Sequence, residues 1–195
     1  MRILLLNASP KTNGATQEIL RTVREALPES VESELVCLGE YTLQYCLGCK
    51  ACYETCRCVR QDDMGVLLQK MDQADALVIA APSYWADVPG QFKVFIDRCT
   101  PFSDTCPHPD HWTLRPGKRC YAVALRTGGK PAECEHIIDT VEHWCGHMGV
   151  ELAGSMYFCR IEGKEDIEPH KPGIRAQAER WFGDCGLAEY VDIGT

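Results

Sequence analysis

Unbroken runs of apolar residues recur along the chain and predict the central strands of a β-sheet. They lie at 3–6, 76–81 and 120–125. Strands that helices cover on both faces are apolar throughout, and their neighbours in such a sheet run parallel. These three segments are therefore predicted to be buried, parallel strands.

Two further segments alternate between apolar and polar residues and predict edge strands. They cover 31–37 and 150–159. Alternation is typical of a strand with one half-exposed face. In the second segment, the residues expected to share one side are Val150, Leu152, Met156 and Phe158.

Apolar residues spaced by three or four positions predict an amphipathic helix after each strand. The resulting alternation of strand and helix predicts a single domain over residues 1–195. Right-handed crossovers, with the second and fifth strands at the edges, give a doubly wound α/β sheet in the order 2-1-3-4-5. The last helix is expected to end near Gly183 or Gly186. The five helical stripes are Ala15, Ile19, Val23 and Leu27; Met64, Leu67, Leu68 and Met71; Phe92, Phe95, Ile96 and Cys99; Ile137, Ile138, Val141, Trp144 and Met148; and Ile174, Ala178, Trp181, Phe182 and Cys185.

Three loops should meet at the carboxyl ends of the strands, where such sheets bind ligands. They cover 7–16, 82–90 and 126–130. The first loop places hydroxyls and backbone amides at a helix amino terminus, which is typical of a phosphate site. An ordinary turn with Asn13 as the helix cap fits the same residues. The loop lacks the Walker pattern of a nucleotide-binding P-loop.

The other two loops carry residues suited to a flat ligand. The adjacent aromatics Tyr84 and Trp85 could flank a planar heterocycle, or they could cover the helix beneath them. Gly128 and Gly129 allow the backbone to approach a flat ligand closely, or they form a simple turn. The residues of these loops are therefore consistent both with a ligand site and with simple connections between strands and helices.

Three motifs together resemble the NADPH-dependent FMN reductase branch of the flavodoxin-like proteins. They are Ser9-Pro10-Lys11-x-x-Gly14-x-Thr16, Pro82-x-Tyr84 and Gly90-x-x-Lys93-x-Phe95-Ile96-Asp97-Arg98. The resemblance implies a flavodoxin-like three-layer sandwich in which the first loop binds the FMN phosphate and the other two contact the flavin ring. The implied phosphate residues are Ser9, Lys11, Asn13, Ala15 and Thr16. The implied ring contacts are Pro82, Ser83, Tyr84, Trp85, Thr127, Gly128 and Gly129.

Members of this family typically accept hydride from NADPH or NADH at flavin N5 and pass electrons to a small acceptor such as a flavin or quinone. The resemblance also implies a homodimer or homotetramer. With 28 acidic and 20 basic residues, the chain lacks the basic footprint that nucleic-acid binding requires. No segment has the length of a membrane span, and a cytoplasmic location is expected.

Thirteen cysteines are the compositional anomaly, and five of them lie between residues 46 and 58. This cysteine-rich insertion, at about 44–60, follows the second strand. The spacing Cys46-x2-Cys49-x2-Cys52-x5-Cys58 is similar to that of the iron–sulfur flavoproteins, an offshoot of the same family. That similarity implies a [4Fe–4S] cluster held by these four thiolates, while zinc and free or disulfide-forming thiols remain alternatives. Cys56 has no role in this ligand set.

Other residues with metal-binding chemistry are assigned structural roles. The stretches Cys106-Pro107-His108-Pro109-Asp110-His111 and Cys145-Gly146-His147 lack four-ligand spacing, and we interpret them as a surface loop and a helix end. Asp97 and Arg98 are expected to form an ion pair or helix-end contacts.

Three functions remain open. The first is an NAD(P)H-dependent FMN oxidoreductase. The second is an electron carrier that exchanges single electrons with a ferredoxin-like protein. The third is a thiol or metal sensor that uses the cysteine-rich insertion and keeps the fold only as a scaffold.

Overall fold

A computed structural model describes residues 1–183 and contains the parallel sheet that the apolar runs predict. The strands are β1 (Arg2–Asn7), β2 (Glu32–Cys37), β3 (Ala76–Pro82), β4 (Arg119–Leu125) and β5 (Glu151–Phe158). All four neighbouring pairs are parallel, and the order is β2-β1-β3-β4-β5. The predicted order and the flavodoxin-like sandwich are confirmed.

Helices cover both faces of this sheet. They are α1 (Ala15–Glu25), α2 (Cys52–Thr55), α3 (Met64–Gln73), α4 (Gly90–Asp97), α5 (Ala132–Met148) and α6 (Lys171–Phe182). Short 3-10 segments cover Leu38–Glu40, Thr100–Phe102 and Lys164–His170. Within the described residues, no helix is both long and apolar enough to cross a membrane.

Two apolar layers hold the sandwich together because successive side chains of a strand point to opposite faces. In β1, Leu4 and Leu6 join the layer beneath α3, α4 and α5. Ile3 and Leu5 join the layer beneath α1 and α6. Each layer removes a continuous apolar surface from water, which is the main favourable term in folding.

The predicted face of the last strand is wrong because β5 contains an irregularity. Cys120 is opposite Leu152, but the next residue of β4 is opposite Gly154, so the register shifts by one. A one-residue shift exchanges the two faces of a strand. Val150 and Leu152 consequently contact one apolar layer, while Met156 and Phe158 contact the other.

Helix ends differ slightly from the predicted stripes. Helix α1 ends at Glu25, so Leu27 lies beyond it, and Cys99 follows the end of α4 in the buried core. The residue preceding α1 is Gly14, and not Asn13, which the alternative of an ordinary turn has as the cap. Cys185 and Gly186 lie outside the described residues.

Candidate functional site

A cleft of about 120 Å³ opens at the carboxyl ends of β1, β3 and β4, where the three loops meet. Of the residues implied by sequence, the cleft is lined by Ser9, Lys11, Ala15, Thr16, Pro82, Ser83, Tyr84 and Thr127. An adjoining cleft of about 460 Å³ shares Thr127 and Glu162 with the first and also includes Gly129. Parallel strands bring these loops together because their carboxyl ends lie on the same edge of the sheet.

Three of the implied residues do not line either of these clefts. Asn13 and Trp85 are exposed, while Gly128 lies beneath the guanidinium of Arg126. An ideal Cβ at Gly128 would be only 2.3 Å from an Arg126 nitrogen. Gly128 therefore leaves room for an arginine that itself lines the cleft.

Asn7, fully buried at the end of β1, shapes the first loop. Its amide nitrogen donates to the Lys11 carbonyl at 3.0 Å and to Gln17 Oε1 at 2.8 Å, and its oxygen accepts from the Ser9 amide at 2.9 Å. The Ser9 hydroxyl accepts from the Lys11 amide at 3.1 Å. These bonds hold the loop in a tight bend ahead of α1.

The amino terminus of α1 is suited to an anion. Gly14, which precedes the helix, offers no side-chain cap, and the first helical residues, Ala15 and Thr16, line the cleft. Aligned amides and the helix dipole favour a phosphate at this position. Gly39 supports the loop from behind, because an ideal Cβ there would lie 2.9 Å from the Pro10 carbonyl oxygen.

The second and third loops are joined by a polar network. Ser83 donates its amide to the Leu125 carbonyl at 2.7 Å and its hydroxyl to Glu133 at 2.6 Å. Arg126 pairs with the same carboxylate at 2.9 Å and donates to the Lys130 carbonyl at 2.6 Å. Glu133 thus links a serine of one loop to an arginine of the other.

The guanidinium of Arg126 is not fully satisfied. Its Nε is buried and has no hydrogen-bond partner among the described residues. A buried donor without an acceptor costs free energy, so the position favours a ligand that supplies an acceptor.

Tyr84 and Trp85 belong to a tight turn at the mouth of the cleft. Tyr84 and Asp87 exchange backbone hydrogen bonds of 2.8 and 3.2 Å. The two central residues, Trp85 and Ala86, have φ of 55° and 62°, the left-handed pair of a type I′ turn. Asparagine and glycine are the usual residues there, so the turn is strained. Trp85 is fully exposed at its tip, so the alternative in which it covers the helix beneath is not observed.

Sequence reasoning missed five residues that line the first cleft, namely Gly14, Leu125, Arg126, Ile161 and Glu162. A charged residue directly after an apolar strand was a usable signal for Arg126. Ile161 and Glu162 follow β5, a strand expected to lie away from the point where the winding reverses. The backbone of Ile161 reaches the site by donating to the Arg126 carbonyl at 2.9 Å.

The cysteine-rich insertion forms an exposed loop around the short helix α2. Cys46 and Cys49 are exposed, whereas Cys52, Cys56 and Cys58 are half-buried. Cys56 ends α2 in a left-handed conformation, with its amide donating to the Cys52 carbonyl at 3.0 Å. Within residues 1–183, no three His, Cys, Asp or Glu side chains are grouped as a metal site.

A buried ion pair fixes both ends of this insertion to α4. The side chains of Arg98 and Asp62 are 1% and 2% exposed, and they make two hydrogen bonds of 2.6 and 3.0 Å. Gln44 donates its amide to Asp62 at 2.9 Å, and its carbonyl accepts from Arg98 at 2.5 Å. The interpretation of Arg98 as structural is supported, although its partner is not the adjacent Asp97, which pairs with Lys93.

The charges around Asp62 stabilise its ionised form. Burial alone raises the pKa of Asp62, but hydrogen bonds from Arg98 and from the backbone amides of Gln44 and Met64 outweigh it. The pKa is thereby set below its ordinary value of 3.8.

Cys106, from the loop after α4, is a buried neighbour of the insertion. Its thiol points to the Cys52 carbonyl at 3.6 Å. The pKa of the Cys52 thiol is raised, mainly by burial and secondly by the nearby Cys106. The loop that contains Cys106 therefore packs against the insertion and does not stand apart from it.

Cysteines in the core behave as small apolar residues. Burial raises the pKa of both Cys99 and Cys134 to about 12. Cys120 and Cys145 lie in the same apolar layer as these two. Cys99 and Cys134 therefore carry too little thiolate to react near neutral pH.

The sequence profile described as NADPH-dependent FMN reductase matches residues 1–162 of the chain. An iron–sulfur flavoprotein of Clostridioides difficile is 33% identical over 161 residues, covering 77% of this chain and 68% of that protein. One from Methanosarcina thermophila is 31% identical over 156 residues, covering 79% and 78%. The alignments with one iron–sulfur flavoprotein of Methanocaldococcus jannaschii and with one of Archaeoglobus fulgidus span 53% and 58% of those proteins.

Solved structures share the fold at low identity. An NAD(P)H:quinone oxidoreductase from Methanothermobacter marburgensis superposes with a TM-score of 0.68 at 16% identity, covering 97% of this chain and 98% of that one. An FMN-dependent NADH-azoreductase from Bacillus anthracis, solved in complex with FMN, gives a TM-score of 0.62 at 14% identity, covering 92% and 99%. At such identities the likeness concerns the fold alone.

Proposed function

The chain belongs to the NADPH-dependent FMN reductase family, and from this premise we propose that it is an FMN-dependent oxidoreductase. It takes electrons from NAD(P)H and passes them to a small acceptor such as a flavin or quinone. The observation that supports the proposal is the cleft that the uncapped amino terminus of α1 shares with the loops after β3 and β4. Among the solved structures of the same fold, the azoreductase was solved in complex with FMN.

The residues of the cleft fit FMN by their chemistry. The uncapped amino terminus of α1 suits a phosphate, and the unpartnered Nε of Arg126 suits an acceptor atom. Small-molecule sites typically occupy roughly 300–1,000 Å³, a size that the two adjoining clefts together provide. The residues proposed to hold the phosphate are Ser9, Lys11, Asn13, Ala15 and Thr16. Those proposed to contact the ring are Pro82, Ser83, Tyr84, Trp85, Thr127, Gly128 and Gly129.

FMN, when bound, supplies the redox chemistry by accepting hydride at its N5 and passing the electrons on. The protein's contribution is placement. Asn7 and Ser9 fix the loop that faces the phosphate, and Glu133 fixes Ser83 and Arg126 relative to each other. Such prior ordering lowers the conformational cost of binding.

Anaerobic reduction tests this function. The purified protein is titrated with FMN and then with NADPH or NADH, while the yellow flavin absorbance is followed. We expect tight FMN binding and bleaching by at least one nicotinamide. Lys11→Ala should weaken FMN binding, whereas Lys164→Ala, an exposed lysine outside the first cleft, should not. Colourless protein that does not bind FMN in large excess would refute the proposal.

A second candidate is a one-electron carrier that contains a [4Fe–4S] cluster and serves a ferredoxin-like partner. It is favoured by the cysteine spacing and by the relatives that are iron–sulfur flavoproteins. Four soft thiolates are the correct donors, but they do not converge in the described residues, so we derive no step through a cluster. The proposed ligands are Cys46, Cys49, Cys52 and Cys58.

Iron and acid-labile sulfide assays after anaerobic purification decide between the candidates. With a cluster, serine at Cys46 should abolish iron binding, whereas Cys56→Ser should retain it. Zinc without iron or flavin would instead favour a thiol or metal sensor. A cytoplasmic location and a homodimeric or homotetrameric state are further proposals, and light scattering tests the latter.

A further inference from the structure

A third cleft, of about 590 Å³, lies between α4, α5 and the cysteine-rich insertion. Its α5 wall includes His143 and His147, which are one turn apart. Their side chains have no part in the proposed FMN site.

The two imidazoles contact each other edge to face, with their ring centroids 4.6 Å apart. The Nε2 atoms of His143 and His147 are 3.2 Å apart. Two zinc–nitrogen bonds of about 2.05 Å at a tetrahedral angle would place two such nitrogens about 3.3 Å apart. The pair therefore has the separation of two ligands of one tetrahedral cation.

A carboxylate fixes the orientation of one ring. Asp104 Oδ1 is 2.6 Å from Nδ1 of His147, and the backbone amide of Asp104 donates to the His147 carbonyl at 3.1 Å. In the neutral imidazole, a carboxylate that accepts from Nδ1 selects the tautomer whose lone pair is at Nε2. Metal-binding histidines usually have such a carboxylate on their second nitrogen.

We propose that His143 and His147 form a site for a borderline divalent transition cation, with Zn²⁺ as the reference ion. Asp104 acts as a positioning residue. His143 must carry its proton at Nδ1 when the ion binds, so that both Nε2 lone pairs face the metal. The remaining coordination positions open into the cleft, where solvent or a small ligand completes the tetrahedron.

The sequence alone does not indicate this site, because the neighbouring Cys145 and His147 lack four-ligand spacing. Cys145 is buried in the apolar layer, whereas the effective partner of His147 is one helical turn earlier. Residues four apart lie on the same helix face.

Nitrogen-resolved NMR of the histidine rings, recorded during a Zn²⁺ titration, tests the site. This measurement reads imidazoles directly and is insensitive to zinc on cysteine thiolates. We expect the ring nitrogens of His143 and His147 to shift together, while those of His136, a half-exposed histidine of the same helix, stay in place. The double variant H143A/H147A should bind one zinc fewer per chain than the parent protein.

Variants separate ligation from a plain hydrogen bond between the rings. His147→Ala should abolish the zinc response of His143, and Asp104→Asn should weaken zinc affinity by roughly tenfold or more. His136→Ala should leave both unchanged. If neither His143 nor His147 responds to excess zinc, or if His136 shifts in parallel, the contact is only a hydrogen bond and the proposal fails.

Discussion

The ion pair of Arg98 and Asp62 provides the sharpest test of how the cysteine-rich insertion is held. Asp62→Asn keeps the shape of the side chain but removes the charge that faces a guanidinium with 1% exposure. Breaking a buried pair by removing one partner typically costs about 3–5 kcal/mol, since the remaining charge is uncompensated. That is a large part of the roughly 5–15 kcal/mol by which domains are stable.

Urea denaturation measures this loss. We expect the free energy of unfolding of Asp62→Asn to fall by about 3–5 kcal/mol. The matched control is Asp97→Asn on α4, which removes an ion pair whose side chains are about half exposed. Exposed pairs contribute about 0–1 kcal/mol, so the control should change little. Replacing both partners, as in Asp62→Leu with Arg98→Met, should recover only part of the loss, because the Gln44 and Met64 amides and the Gln44 carbonyl lose their partners.

The Asp62 carboxyl should make the protein less stable as the pH falls. Because the folded protein holds the pKa of Asp62 below 3.8, the unfolded chain binds the proton first as the pH falls. The contribution of Asp62 is therefore fully present above pH 3.8 and disappears as the pH falls through the folded pKa. Asp62→Asn should lack this component of acid sensitivity. Equal losses in Asp62→Asn and Asp97→Asn, or an unchanged acid profile, would refute the reasoning.

Three further changes test the flavin cleft and its turn. Asn7→Ala leaves buried partners unsatisfied, so unfolding should become easier by about 1–3 kcal/mol and FMN affinity should fall at least roughly tenfold, measured by flavin fluorescence. Gly39→Ala should displace Pro10 and weaken FMN binding, whereas Gly149→Ala, at φ 68° on the end of α5, should cost about 1 kcal/mol of stability with FMN affinity unchanged. Ala86→Gly, at φ 62°, should raise the free energy of unfolding by about 1 kcal/mol in urea titration. Wild-type FMN affinity in Asn7→Ala and Gly39→Ala, or a destabilised Ala86→Gly, would contradict the respective account.

The strand order could be predicted because it follows from local patterns and general rules of connection. Strands such as 76–81 are apolar on both faces, so they belong in the middle of a sheet that helices cover on both sides. The face of β5 could not be predicted in the same way. Its register shift arises where β4 and β5 pair, and no residue spacing within β5 indicates it.

In the candidate site too, contacts between residues that are close in sequence could be predicted, whereas contacts between distant segments could not. The loop after β1 was accessible from sequence because its hydroxyls and glycine are adjacent in the chain. The contacts of Ile161 and Glu162 were not accessible, since the chain after β5 returns to the Arg126 backbone through a tertiary hydrogen bond. The partner of Arg98 was missed for the same reason, because Asp62 is 36 residues away.

Helix α4 connects the two regions on which the proposed chemistry depends. It begins after the loop with Tyr84 and Trp85, and Arg98, which anchors the insertion, follows its last residue. Eight helical residues span about 12 Å, so the flavin loop and the anchor lie at opposite ends of one short rigid element. The hydrogen-bond partners of Asn7 lie around the loop after β1, and none of them is a partner of Asp62. Flavin binding and retention of metal by the insertion should therefore be separable by mutation, which a single undivided site would not permit.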